Sequence, residues 1–326
     1  MSANDQGYDD DYEEDEEQEF TQYNYNSKTK TYVPMGVLDL KLDLKPGYYN
    51  GFFTDEGPRI RKIETRLDGL VTFGKGVASQ IVNEIEQFWG SEQKFREINK
   101  SIKVLYKRGI LMYGPPGCGK SSMISIIMNE VVKRKGVALR FNGSNVTTEF
   151  IRMIRQIQPS TKIIVVLEDI DGFISRNGEE DILNMLDGVD TVLDNILFIA
   201  TSNYVEELSQ RMLRPSRFDM KIELDYPGTD MRRKYLQELY KSNGVAKNPN
   251  LSQSVRDTEG FSFADLKELF ISTCVFGRDY KKAVNGLKNA LNSEEKLRAL
   301  KNRGGRAIPI TVNAMADAVR QRSRKR

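Results

Sequence analysis

Residues 108–122 read RGILMYGPPGCGKSS: an apolar run that breaks into glycine and proline and then meets Lys120 and Ser121. The break fits G-x-x-x-x-G-K-[ST] at Gly114, Gly119, Lys120 and Ser121. The run before it reads as a buried strand, and the stretch from about residue 120 to 134 reads as an apolar helix. In that context the pattern has a physical meaning. The glycines let backbone N–H groups wrap phosphates, and the start of the following helix favours negative charge. Lys120 reaches the β and γ phosphates, and the Ser121 hydroxyl is a magnesium ligand. Gly114, Pro115, Pro116, Gly117, Cys118, Gly119, Lys120, Ser121 and Ser122 are therefore the candidate nucleotide-binding residues, with ATP and Mg2+ as the implied ligands. Cys118 reads as a packing thiol rather than a redox switch.

Working outward, KIIVVLEDIDGF (162–173) is a second apolar strand, which ends in two adjacent acids, Glu168 and Asp169. It is expected to lie beside the phosphate-loop strand and to bring both acids to the metal and the γ-phosphate. The usual order at such a strand end is Asp first and Glu second. Glu168 is read as the acid that orients magnesium, through water that absorbs its extra methylene. Asp169 is read as the base that polarises the attacking water. NILFIATSN ends a further strand in Asn203, a neutral amide suited to hold that water or the γ-phosphate. Eleven residues on, LRPSRFD sets Arg214 and Arg217 around a proline that keeps the loop from becoming helix. Guanidiniums on a stiff loop suit a phosphate in a neighbouring subunit.

The buried strands RGILMYG, VALRFNG, KIIVVLEDI, NILFIATSN and MKIELDYP alternate with helices, one of them near 149–157 and another near 179–187. Continuous rather than alternating apolar strands imply an α/β fold, a parallel sheet covered by helices on both faces. The expected organisation is an acidic disordered tail (1–30), a small β-rich N-terminal module (31–76), a large α/β subdomain (77–228), a helical lid (229–319) and a basic tail (320–326). Within the module, GVLDLKLDL alternates as a strand, and the Asn50-Gly51 pair inside YYNGFF reads as a turn. Ile81, Val82, Ile85, Phe88 and Trp89 fall on one helical stripe and read as core.

Composition narrows the chemistry. Histidine is absent, which excludes imidazole bases, Ser-His and Cys-His pairs, and histidine metal sites. Two cysteines are too few for a disulfide framework and point to a reducing cytoplasm. No run of 18 uncharged apolar residues is present, so a soluble protein with no membrane partner is expected. Of the 46 acids, ten lie in residues 1–19, which hold no base, so the rest of the chain sets 49 bases against 36 acids. That basic body and the terminal RQRSRKR leave nucleic acid as a candidate partner, alongside a protein client.

Together these stretches resemble the AAA family of the AAA+ ring ATPases. GPPGCGKSS is similar to its Walker A motif, VVLEDID to Walker B, ATSN to sensor 1 and RMLRPSRFD to the arginine-finger region. GFSFADLKEL (260–269) looks like the G-x-S-G-A-D-L near the start of the family's lid, with Ala264 where other clades carry a sensor-2 arginine. Within the family the motifs resemble the AAA module of the mitochondrial Rieske-protein translocase, which shares the Glu-Asp order. The overall layout also resembles AAA ATPases of large tailed bacteriophages. The resemblance implies a homo-oligomeric ring that hydrolyses ATP and remodels a protein or nucleoprotein partner. Alternatives are a role in phage-type DNA replication or packaging, or a scaffold that binds ATP with little hydrolysis. One departure concerns the central pore: after the second strand FNGSNVTTEF is short and offers only Phe150, at an apparent helix start.

Overall fold

The computed structural model describes residues 22–35, 44–55, 57–64, 75–98, 105–187, 193–244 and 250–303. Four N-terminal strands, β1 (Gln22–Asn26), β2 (Thr31–Met35), β3 (Gly47–Thr54) and β4 (Gly57–Lys62), pair antiparallel. Five more, β5 (Lys107–Tyr113), β6 (Val137–Arg140), β7 (Ile163–Leu167), β8 (Ile196–Ser202) and β9 (Met220–Glu223), run parallel. All nine form one sheet in the order β1-β2-β4-β3-β6-β7-β8-β5-β9, joined by a parallel pairing of β3 with β6.

β7 is apolar and buried at every position, and β5, β6 and β8 each carry an apolar buried run, because both faces are covered. On one face Leu111, Leu139, Val165 and Phe198 pack with α4 (Ser144–Ile157), α5 (Ile170–Asn177) and α6 (Glu180–Asp187). On the other, Ile110, Met112, Ala138, Val166 and Ile199 pack with α1 (Lys75–Gly90) and α3 (Lys120–Lys133). The α1 stripe buries Ala78, Ile81, Ile85, Phe88 and Trp89, each large side chain contributing about 1.5–3 kcal/mol. The short α2 (Glu92–Ile98) follows. A third cluster, built by α7 (Thr229–Ser242), α8 (Leu251–Asp257), α9 (Phe263–Phe270) and α10 (Tyr280–Arg303), forms a separate helical layer.

Four expectations are corrected here. First, the tail expected to run to residue 30 is strand and turn from Gln22, because β1 pairs along its whole length with β2 and seats Tyr23 in the core. Second, the N-terminal strands are not a module of their own, since β3 extends the parallel sheet. Third, Asn50 and Gly51 do not turn the chain but lie inside β3, and the reversal falls after Thr54. Fourth, β7 is not beside β5: β8 lies between them and pairs with both. The strand expected at GVLDLKLDL lies, apart from Leu44, outside the described residues. The acidic residues 1–19 and the basic residues 320–326 also lie outside them.

Candidate functional site

In a parallel sheet all strands finish at the same edge, and the crevice there collects their terminal side chains. At that edge the loop after β5 runs through Gly114 (φ 145°), Gly117 (φ 78°) and Gly119 (φ 92°), backbone conformations that a Cβ would strain. Two of these glycines also permit close approach. A Cβ on Gly114 would stand 2.1 Å from the Leu224 carbonyl oxygen, and one on Gly117 would stand 2.6 Å from Ser262 Oγ. Lys120 opens α3, is buried, and donates from Nζ to the carbonyls of Gly114 (2.7 Å) and Pro115 (2.8 Å). Burial draws its pKa below the ordinary lysine value, opposed by the charges of Cys118, Asp171 and Asp169. Ser121 and Ser122 follow on the first turn of α3. Cys118 is buried, and that burial pushes its thiol up to about 11. The lid reaches this loop directly: the Ala264 amide donates to the Gly117 carbonyl at 3.3 Å, beside the capping box that starts α9 at Ser262.

The two acids at the end of β7 diverge. Asp169 takes a left-handed backbone, φ 55° and ψ 53°, and its amide donates to Thr201 Oγ1 at 3.0 Å. Its carboxylate turns toward β8, where Asn203 Nδ2 donates to Oδ1 at 2.9 Å. A Cβ on Gly172 would stand 2.5 Å from Asp169 Oδ2, so glycine there makes room for the acid. Glu168 turns the other way and accepts from the Tyr48 hydroxyl at 3.0 Å. Tyr48 is buried, and desolvation together with the Glu168 charge holds its hydroxyl protonated far above the usual range. Asp171 is buried and accepts the Asn203 amide at 2.9 Å, which fixes the end of β8 against the start of α5.

The two arginines of the loop after β8 differ. Arg217 is held by the end of α6, with Nε donating to Asp187 Oδ1 (2.5 Å) and Nη2 to Oδ2 (2.7 Å). The hydrogen bonds from Arg217 hold the Asp187 carboxyl below the usual carboxylate range. Arg214 is exposed, and its guanidinium makes no hydrogen bond or ion pair with the described residues.

Beside the loop opens a pocket of about 400 Å³, between the start of α1, the first turn of α3 and the lid. Val77, Met123, Tyr226, Met231, Tyr235 and Phe263 give it mostly apolar walls, suited to a flat heterocycle. The structure thus brings together the phosphate loop, Asp169 and Asn203 along the β5, β7 and β8 ends, and leaves Arg214 facing outward. Sequence reasoning missed Asp171, Thr201, Tyr48 and the pocket walls. Asp171 was visible in LEDID as a third acid, whereas nothing local marks Tyr48 or Val77.

A glycine-rich cradle ending in a buried lysine at a helix start, beside acids on a parallel strand, defines a P-loop nucleoside triphosphatase. Residues 110–226 match the family model described as "ATPase family associated with various cellular activities (AAA)", so the chain carries an AAA ATPase domain, the domain of an ATP hydrolase. It is similar to the proteasome-activating nucleotidase of Saccharolobus solfataricus, 29% identical over 278 residues, which are 76% of this chain and 70% of the relative. It is also similar to the mitochondrial chaperone BCS1 of Homo sapiens, 28% identical over 218 residues, 62% of this chain and 50% of the relative. The 26S proteasome regulatory subunit 6A of Encephalitozoon cuniculi is 24% identical over 286 residues, 76% and 70% of the two chains. Among the described residues no helix is long and apolar enough to cross a membrane.

Proposed function

We propose that the chain is a magnesium-dependent ATPase that assembles with copies of itself into a ring and uses the hydrolysis cycle to remodel a protein partner. The observation that carries the hydrolytic part is the 2.9 Å hydrogen bond from Asn203 to Asp169. It sets a neutral amide and a carboxylate side by side at the sheet edge, as a pair that can hold and deprotonate one water. In this reading the water oxygen bonds to the γ-phosphorus, its proton passes to the Asp169 carboxylate, and the bond to the β–γ bridging oxygen breaks to release ADP. Lys120 and the loop amides stabilise the charge that moves onto the phosphates. The apolar pocket beside Val77 and Tyr235 takes the adenine.

The donor set fits magnesium. Ser121 and Glu168 offer oxygen, and the described residues contain no group of three or more His, Cys, Asp or Glu able to hold a metal alone. A cation here would take its remaining ligands from phosphates and water, which is magnesium's habit. When bound, it supplies charge neutralisation at the β and γ oxygens.

The ring reading is supported by Arg214, an exposed guanidinium on the loop between β8 and β9 that can serve a neighbour's triphosphate. Arg217 joins it once released from the Asp187 carboxylate and the Arg211 carbonyl. The protein client is supported by the relatives' names, an activator of the proteasome, a proteasome regulatory subunit and a chaperone.

Single-turnover hydrolysis of bound ATP tests the proposal. Asp169→Asn should bind ATP as the parent does and cleave it about 10²- to 10⁴-fold more slowly. Equal rates in the two proteins would leave a nucleotide-dependent scaffold instead. The nucleic-acid alternative, a role in phage-type DNA replication or packaging included, rests on the basic body and residues 320–326; mobility shifts that weaken steeply with salt would support it.

A further inference from the structure

Glu168 occupies the position where the shorter aspartate is usual, and its arm carries one more rotatable bond. A carboxylate on such an arm samples several rotamers, and fixing it requires a partner. That partner is Tyr48, whose hydroxyl donates to Oε1 at 3.0 Å. Oε2 accepts no hydrogen bond among the described residues.

The tyrosine is well made for the task. It has two torsions, is 5% exposed, and packs in the same layer as α3, the helix that begins with Lys120 and Ser121. Its position comes from sheet topology: β3 adds to the parallel sheet beside β6, which sets Tyr48 opposite Ala138 and Ala138 opposite Ile164. Ala138 presents only a methyl group in that layer, between the tyrosine and the strand that ends in Glu168. The N-terminal strands thus supply a group to the nucleotide site two strands away.

We propose that Tyr48 is a positioning residue for Glu168, its hydroxyl holding one carboxylate oxygen so that the other is presented to the metal side of the phosphate cradle. This rests on the reading of Glu168 as the magnesium-side acid. It explains how a glutamate serves where an aspartate is usual, and it makes the N-terminal strands part of the catalytic unit rather than an appendage.

Tyr48→Phe removes the hydroxyl and keeps the ring. The measurement is Mn2+ binding in the presence of a saturating non-hydrolysable ATP analogue, followed by the EPR signal of free Mn2+, with metal-free nucleotide binding in EDTA as the control for folding. The dissociation constant for Mn2+ should rise about 10- to 100-fold, the effect of one lost hydrogen bond to a charged group. Metal-free nucleotide affinity should stay unchanged. In a Glu168→Asp background, whose shorter arm does not reach the hydroxyl, adding Tyr48→Phe should change nothing further. If Tyr48→Phe leaves Mn2+ binding unaltered while Glu168→Gln weakens it, the tyrosine is only a packing residue and the reading of Glu168 stands. If neither substitution alters Mn2+ binding, both fall. Equal losses of Mn2+ and of metal-free nucleotide would mark a general distortion and overturn the positioning role.

Discussion

At residue 169 the backbone is left-handed, φ 55° and ψ 53°, a region that Asp and Asn enter far more readily than longer side chains. This gives a local reason for aspartate in the second place of the pair, with glutamate displaced to 168, where the backbone is still leaving a strand. Gly172 belongs to the same device, since a methyl group there would meet Asp169 Oδ2. Gly172→Ala should therefore slow hydrolysis by about 10- to 100-fold, the cost of misplacing a reacting group by less than its own radius, while ATP binding measured in EDTA is unchanged. Cysteine chemistry gives an independent check on the loop. Burial lifts the Cys118 thiol to about 11, whereas Cys274 is exposed, so iodoacetamide at pH 8 should label Cys274 and leave Cys118 intact, read by peptide mass. The loop residues, both acids and Asn203 were legible because their identities and spacing are themselves the chemistry. Thr201 and Tyr48 were not, because each acts through a partner 32 or 120 positions away, and Asp171, visible as a third acid, carried no local sign of its bond to the Asn203 amide 32 positions on.

Among the elements, β3 shows how tertiary contacts override a local signal. Asn-Gly between apolar runs is a strong hairpin signal. Here Asn50 is instead tied to Asn142, which donates to its Oδ1 at 2.7 Å and to the Gly51 carbonyl at 2.8 Å. Gly51 has another function: a Cβ there would stand 2.3 Å from the Phe150 ring. Phe150 itself is 1% exposed and packs 5.4 Å, centroid to centroid, from Phe53, so the only aromatic offered by the segment before it for gripping a client is core. Phe150→Ala should destabilise the fold by about 3–5 kcal/mol in denaturant unfolding, with no separate loss in client handling by whatever folded protein remains. Four of the five parallel strands were legible by their apolar runs, and β9, MKIE, as an alternating one. Their order was not, since a run buried on both faces records that neighbours exist but not which ones, and β8 between β7 and β5 had no sequence signature. The helix α5, directly after the acids, was hidden because its polar exposed face interrupts the apolar pattern.

For the whole molecule, the two sheet faces and the lid meet at a cradle whose Lys120, Asp169 and Asn203 come from one chain, while the exposed Arg214 bonds to none of them. In the proposed ring each chain is both a site and the completion of its neighbour's site, so two different defects should compensate when mixed. Lys120→Ala removes a chain's own phosphate grip and keeps Arg214; Arg214→Ala keeps the grip and removes the donated guanidinium. The most direct measurement is the ATPase rate of these two variants, each alone and then mixed at equal amounts after subunit exchange. Alone, each should run at least about 10³-fold below the parent, in line with the contribution of a finger of this kind. Mixed, they should recover a substantial part of the parent rate, because intact cradles then stand beside intact arginines. A mixture no faster than the sum of its parts, or full activity in Arg214→Ala alone, would contradict a site shared between two copies of this chain.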